Sequence, residues 1–172
     1  MVTKKGRAQL MKSIPITEAG AIIIGDEILS GYRQDAHMAY LIKTLPELGV
    51  ILKRVSYVGD SQEELCNTLL CSSKSTIPIF CFGGIGATED DRTRQVAAQV
   101  FGRPLTRHPE AELMIRNRFG DNSEPYRILM ADLPSGCKLI PNKLSQIPGF
   151  YHDNHYFFPG FPNMAQSMLG WV

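Results

Sequence analysis

One stretch decides the fold: IPIFCFGGIGATEDDRTRQVAAQVFG, at positions 77–102. It begins with a short apolar run, Ile77–Phe82, which predicts a strand buried on both faces of a sheet. Gly83, Gly84 and Gly86 then allow the backbone to turn sharply and to approach a ligand closely. Backbone N–H groups in such a turn, placed before a helix, form a concavity that favours an anion. The stretch therefore predicts an anion-binding turn after a buried strand.

The glycine turn differs from two common nucleotide-binding motifs. No Lys-Ser or Lys-Thr pair follows it, which excludes a P-loop, and Thr88-Glu89 stands where a dinucleotide fingerprint has its third glycine. Acids follow instead, namely Glu89, Asp90 and Asp91. Carboxylates repel a phosphate unless a divalent cation, a sugar or a pterin ring lies between them, and a magnesium-type ion meets this need. The alternative is that these acids only complement the dipole of the following helix.

Strand and helix patterns alternate along the chain. Thr88 is predicted to cap the helix of the central stretch, and Gly102 to end it. Before it, the predicted elements are the strand Ala21–Ile24, a helical stripe Met38–Leu48, a strand Val50–Val58, and a helix around Leu65 with a capping box at Ser61 and Glu64. After it, they are a helix Glu110–Phe119, short strands Cys137–Ile140 and Tyr156–Phe158, and a last helix Asn163–Trp171. This alternation predicts an α/β domain with a parallel sheet.

Two further acids, Asp26 and Glu27, directly follow the first predicted strand. Ligands of open α/β sheets bind at the carboxyl ends of the strands, so both acids are expected on the ligand side. The alternative is that they are solvated acids of a turn.

Composition excludes several classes of function. The formal net charge is +1, and beyond Lys12 the acids outnumber Lys and Arg, which argues against a nucleic-acid-binding surface. No apolar run is long enough to span a membrane. The four cysteines lack paired metal spacing and are interpreted as reduced thiols of a cytoplasmic protein. Residues 1–18 are predicted to be a basic, flexible leader, and residues 19–172 a single domain.

Several motifs together resemble the molybdopterin-binding domains of the MoaB/Mog type, and most closely the form found in CinA-type competence proteins and some FAD synthases. The turn Gly83–Thr93 matches the family's glycine turn, threonine and aspartate pair, with Ala87 in place of proline and Phe82 in place of a preceding threonine. The opening signature is matched by Gly25–Gly31, GDEILSG.

Three later segments extend the resemblance over about residues 20–170. Asp35-Ala36-His37 stands where the family has aspartate-threonine-asparagine, and Asp35 is also a candidate helix cap. His37 is either a titratable substitute for the asparagine or only a polar residue of the first turn. Pro148-Gly149 and Pro159-Gly160 match two proline-glycine turns, whereas a bulky Ile147 replaces a small residue that faces the ligand.

The resemblance implies a three-layer α/β/α fold, a small nucleotide or pterin ligand and a homo-oligomer, either dimer or trimer. It implies a divalent cation (Mg, Mn or Co) positioned by Asp26, Asp90 and Asp91, with Asp90 and Asp91 catalytic, and the hydrolysis of a nucleotide pyrophosphate such as ADP-ribose or FAD. Two alternatives stay open: a domain that binds or adenylates molybdopterin, and a non-catalytic regulatory domain. The implied ligand-binding residues are Gly25, Asp26, Glu27, Ser30, Gly31, Asp35, His37, Gly83, Gly84, Gly86, Thr88, Thr93, Pro148, Gly149, Pro159 and Gly160.

Overall fold

The computed structural model describes residues 16–172, so most of the predicted leader lies outside the described residues. The strands within them are β1 (Glu18–Ile24), β2 (Ile51–Val58), β3 (Ile79–Phe82), β4 (Leu105–Arg107), β5 (Asp132–Pro134), β6 (Lys138–Ile140), β7 (Gly149–His152) and β8 (His155–Phe158). Six of them form one sheet with the order β2-β1-β3-β8-β7-β6, and β4 pairs with β5 in a separate two-stranded sheet.

The sheet is mostly parallel, as the alternation of elements predicts. Strands β2, β1, β3 and β8 run parallel to one another, and β7 and β6 add an antiparallel edge beside β8. The α-helices of the described residues are α1 (Asp26–Leu29), α2 (His37–Glu47), α3 (Gln62–Ser73), α4 (Thr93–Val100), α5 (Pro109–Phe119) and α6 (Pro162–Leu169). Two 3₁₀ helices, Gly120–Ser123 and Arg127–Ala131, follow α5.

Helices cover both faces of the sheet and give three layers. On one face, α3, α4 and α5 pack through residues such as Leu69, Val96 and Ile115. On the other face, α2 and α6 pack through Leu41 and Met168. Because every residue of β3 is buried, the central strand contacts both layers, as its apolar run predicts.

The structure also corrects details of the sequence analysis. Strand β1 begins at Glu18, three residues before the prediction, and α6 ends at Leu169 rather than Trp171. Ser61 occupies the N-cap position of α3, but its side chain makes no capping hydrogen bond. Strands β4, β5 and β7 have no counterpart in the prediction.

Candidate functional site

The carboxyl ends of the four parallel strands open into one cleft of about 540 Å³. The residues that follow these strands line it: Gly25 after β1, Asp60 after β2, Gly83 after β3, and Gly160 after β8. This is the edge of an α/β sheet at which ligands are expected to bind.

The backbone of the glycine turn is held from the protein side by α4. The Thr93 hydroxyl donates to the Gly83 carbonyl at 3.0 Å, and the Thr93 N–H donates to the Gly84 carbonyl at 2.9 Å. The Arg94 Nη2 donates to the Gly86 carbonyl at 2.8 Å. These peptide bonds are trans, so the N–H of each peptide is directed opposite to its carbonyl. The amides that follow these three carbonyls therefore point away from α4, towards the cleft.

Four successive amides of the turn are free to bind an anion. Within residues 16–172, the N–H groups of Gly84, Ile85, Gly86 and Ala87 donate to no protein acceptor. The flanking amides differ, because the Gly83 N–H donates to the Phe158 carbonyl at 3.0 Å. Unpaired amides in such a turn are a typical anion site.

Glycine is required at two positions of this turn for different reasons. Gly84 has φ +68°, and a Cβ at this position would overlap the Thr93 Oγ1. A Cβ on Gly86 would overlap the Asp91 carboxylate, which lies directly over the backbone. Side chains at these positions would displace the two groups that shape the turn.

The segment after the glycines is a closed turn, so the prediction that Thr88 caps the helix is wrong. Asp91 Oδ2 accepts hydrogen bonds from the Thr88 hydroxyl and from the Thr88 N–H, the latter at 2.9 Å, and the Asp91 N–H donates to the Thr88 carbonyl at 3.1 Å. Helix α4 therefore begins at Thr93, after Arg92. One Asp91 oxygen thus serves the turn, whereas the nearby Thr88 hydroxyl and the backbone N–H of Asp90 lower the pKa of the Asp90 carboxyl, which also lines the cleft.

A second pair of acids joins the ends of β1 and β2. The Asp26 N–H donates to Asp60 Oδ2 at 2.9 Å, and the Asp60 N–H donates to Asp26 Oδ1 at 3.2 Å. Asp60 lines the cleft whereas Asp26 does not. Burial raises the pKa of the Asp60 carboxyl, and the charges of Asp26, Glu27 and Asp90 add to this shift. The cleft acid from this pair is thus Asp60, and Asp26 holds it in place.

His37 lies behind the cleft. It is only 4% exposed, stacks on Phe82 with 4.5 Å between ring centroids, and its Nε2 lies 3.3 Å from the Gly160 carbonyl oxygen. Burial lowers the pKa of this imidazole. His37 therefore supports the Gly160 turn and does not reach a ligand in the cleft.

Asp35 caps α2, as its position in the sequence predicts. Its carboxylate accepts the N–H groups of His37 and Met38 at 2.8 and 3.0 Å, and the Tyr57 hydroxyl at 2.8 Å. Its oxygens are therefore engaged within the protein, away from the cleft.

The structure separates the implied ligand-binding residues into two groups. The cleft is lined by Gly25, Glu27, Gly83, Gly84, Gly86, Thr88, Asp90, Asp91, Pro159 and Gly160. The lining does not include Asp26, Ser30, Gly31, Asp35, His37, Thr93, Pro148 or Gly149. Gly149 lies in β7, where a Cβ would overlap the Phe157 carbonyl oxygen, so its role is close strand packing. Ile147 lines the cleft, as expected for the position that faces the ligand.

Sequence reasoning missed four residues of this region. Asp60, Tyr32, Arg33 and Phe161 all line the cleft. A signal was available for each of them. Asp60 follows a predicted strand, Tyr32 and Arg33 follow the matched Gly31, and Phe161 lies inside a matched proline-glycine-x-proline turn.

Arg94 is a further missed residue and is 3% exposed. Its guanidinium donates to the carbonyls of Gly86, Asp132 and Leu129, which joins the glycine turn to β5 and to the second 3₁₀ helix. Its Nε has no hydrogen-bond partner among the described residues. Burial lowers the pKa of the guanidinium, while the charges of Asp91 and Asp132 oppose this shift.

Fold and site together define a domain of the MoaB/Mog type, with unpaired turn amides and carboxylates at the carboxyl ends of parallel strands. Residues 20–172 match the family model described as "Probable molybdopterin binding domain", and the chain belongs to this family. The CinA-like protein of Syntrophotalea carbinolica is 33% identical over 152 residues, and the CinA-like protein of Anaeromyxobacter dehalogenans is 34% identical over 129 residues. These matches cover 84% and 73% of this chain but only 37% and 32% of the relatives, so the chain spans about a third of their length.

Solved structures give the same assignment. The structure of CinA from Thermoplasma acidophilum, described as a protein of unknown function, has a TM-score of 0.82 at 26% identity and covers 91% of this chain and 96% of its own. The molybdopterin biosynthesis enzyme MoaB of Thermus thermophilus has a TM-score of 0.52 at 19% identity over 89% of this chain and 87% of its own, which indicates a shared fold. No helix of residues 16–172 has the length and apolar character needed to cross a membrane.

Proposed function

We propose that the domain binds a phosphate-bearing nucleotide or pterin in this cleft and, with a divalent cation, hydrolyses a nucleotide pyrophosphate such as ADP-ribose or FAD. One observation carries the proposal: the unpaired amides of Gly84–Ala87 and the carboxylates of Asp60 and Asp90 line the same cleft. Amides bind phosphate oxygens, whereas carboxylates repel them unless a cation neutralises the contact.

The donor set suits a cation that arrives with its ligand. Within residues 16–172, no three His, Cys, Asp or Glu side chains form a group that could hold a metal by itself, and Asp26, Asp90 and Asp91 do not form one. Mg²⁺ is typically held by one or two carboxylates together with substrate phosphates and waters. Asp60 and Asp90 would hold the cation, and the ligand would supply the remaining oxygens. A bound cation would lower the pKa of a coordinated water and offset phosphate charge.

In the proposed hydrolysis, a water oxygen attacks one phosphorus of the pyrophosphate, and the bond between that phosphorus and the bridging oxygen breaks. ADP-ribose then yields AMP and ribose 5-phosphate, and FAD yields AMP and FMN. Asp60 and Asp90 would hold the cation, and the proton of the coordinated water, whose pKa the cation would lower, would pass to solvent. The amides of Gly84–Ala87 would stabilise the negative charge that develops on the phosphate oxygens.

The test is the release of AMP from ADP-ribose or FAD, measured by chromatography with Mg²⁺, Mn²⁺ or Co²⁺ and with a chelator. We expect cation-dependent release that falls about a hundredfold or more in Asp60→Asn and in Asp90→Asn. Asp91→Asn is also expected to reduce release, because it weakens the turn that Asp91 closes. Glu89→Gln is the matched control, since Glu89 is an exposed acid of the same turn outside the cleft lining. Pure, folded protein that releases no AMP with any of the three metals excludes the hydrolysis.

A second candidate is the binding or adenylation of molybdopterin, which the description of the matched family favours. It would use the same turn and carboxylates, and the cation would bring ATP and the pterin together. Formation of adenylated molybdopterin from ATP distinguishes it from hydrolysis. Tight binding of a nucleotide without turnover would instead support a non-catalytic regulatory domain. The observation that favours this third candidate is the bulky Ile147 side chain in the lining of the cleft.

Self-association stays a prediction from the family resemblance. Light scattering after size-exclusion chromatography distinguishes a dimer or trimer from the monomer mass of 19.2 kDa.

A further inference from the structure

Two aromatic side chains border the cleft and are left largely uncovered. Tyr32 is 90% exposed and Phe161 is 58% exposed, and both line the cleft. Phe82, Phe150, Phe157 and Phe158 by contrast are packed in the core. Both rings leave much of their surface open to the cleft and are therefore available to a ligand.

Arg33 connects the two loops that carry these rings. Its guanidinium carbon lies 5.9 Å from the centroid of the Phe161 ring, which is a cation–π distance. Its Nη1 lies 3.5 Å from Glu27 Oε1, so the guanidinium contacts both the Glu27 carboxylate and the Phe161 ring. Tyr32 is the preceding residue and extends from the same loop. The loop after α1 and the turn after β8 therefore meet at the mouth of the cleft.

Phe161 is attached to the backbone close to the glycine turn. Phe161 directly follows Gly160, and a Cβ built on Gly160 lies 3.4 Å from the Gly83 Cα, at the start of the turn. One residue of backbone spans about 3.8 Å between Cα atoms. The backbone of Phe161 thus begins a few ångström from the start of the turn, and Tyr32 lines the same cleft, as a ligand with a base and a phosphate joined by a single sugar requires.

We propose that Tyr32 and Phe161 form a subsite for the flat aromatic ring of the ligand, while the amides of Gly84–Ala87 bind its phosphates. This inference rests on the proposed function and deepens it by naming the side chains that bind the ring of the ligand. Every heteroaromatic base has a π-face, so stacking accepts several rings and favours all of them over a bare phosphate.

The experiment compares ADP with inorganic pyrophosphate, which shares the diphosphate and lacks the ring. Dissociation constants are measured with Mg²⁺ by isothermal titration for the full chain and for Tyr32→Ala, Tyr32→Phe, Phe161→Ala and Phe161→Trp. We expect ADP to bind the parent protein at least about tenfold more tightly than pyrophosphate, as base stacking supplies this much. Tyr32→Ala and Phe161→Ala should each weaken ADP about tenfold and change pyrophosphate by less than about twofold. Tyr32→Phe and Phe161→Trp should keep the affinity for ADP, because each keeps a ring.

Four results would overturn the subsite. Alanine variants that leave the affinity for ADP unchanged would show that neither ring contacts the base. Equal losses for ADP and pyrophosphate would indicate a structural role of these side chains. A parent protein that binds both ligands equally, with binding lost in Gly86→Ala, would remove the subsite and leave the proposed function standing. If the parent binds neither ligand, the proposed function fails together with the subsite.

Discussion

The stability of the domain should fall on mild acidification because His155 is buried as a neutral side chain. His155 begins β8 and is 2% exposed. Its Nε2 lies 2.8 Å from the Ser72 Oγ of α3, and the Phe101 ring packs against it. Burial lowers the pKa of the imidazole from 6.5 to about 4, the charge of Asp153 opposes the shift, and the charges of Arg54 and His152 add to it.

The sign and size follow from proton linkage. The unfolded chain takes up a proton at His155 near the ordinary pKa of 6.5, whereas the folded chain does so only near about 4. Between these values the unfolded state binds more protons, so the free energy of unfolding falls as the pH falls. For this one group the loss is about 2 kcal/mol between about pH 7.5 and about pH 5.

Urea unfolding followed by circular dichroism at several pH values measures this loss. His155→Gln removes the titration and keeps a side-chain amide that can bond to Ser72. The slope of the free energy of unfolding against pH should therefore decrease by the contribution of His155. The contribution of His37 to this slope should remain, because burial also lowers the pKa of His37. An unchanged slope in His155→Gln would contradict the reasoning, and so would a parent protein whose stability rises as the pH falls from about 7 to about 5.

Three substitutions test how the site is held. Thr93→Val leaves the Gly83 carbonyl without its hydroxyl donor, so we expect a loss of about 1–2 kcal/mol in urea unfolding and weaker binding of pyrophosphate. Arg94→Met leaves the carbonyls of Gly86 and Asp132 without a donor and should cost about 2 kcal/mol or more, with a matching loss of pyrophosphate binding. Gly149→Ala should lower thermal stability by about 1–3 kcal/mol, because its Cβ would overlap the Phe157 carbonyl oxygen, while pyrophosphate affinity stays unchanged in the folded fraction.

The parallel strands of the central sheet could be predicted from sequence because their signal is local. Ile77–Phe82 is apolar without interruption, and β3, which begins at Ile79, is buried on both faces. Strands β4 and β5 have three residues each, too few to show a period, and are specified by pairing with each other. The predicted helix start at Thr88 is too early, because the N–H and hydroxyl of Thr88 donate hydrogen bonds to the Asp91 carboxylate, and α4 begins only at Thr93.

The site could be predicted in part. Of the two acids after β1 that are predicted on the ligand side, Glu27 lines the cleft and Asp26 does not. Asp26 is instead hydrogen-bonded to Asp60 across two strands, and Asp60 lines the cleft. His37 and Phe82 each depart from the pattern that the resemblance implies, and in the structure their rings stack on each other behind the cleft. Such contacts depend on the tertiary fold and leave no local signal in the chain.

The most direct test of the central claim is a titration of ¹⁵N-labelled protein with inorganic pyrophosphate, followed by amide chemical shifts with and without Mg²⁺. The account predicts the largest shifts at Gly84, Ile85, Gly86 and Ala87, with Mg²⁺ tightening the binding and Asp90→Asn removing that effect. Unshifted amides in this turn at saturating pyrophosphate, or binding that is indifferent to both Mg²⁺ and Asp90, would contradict it.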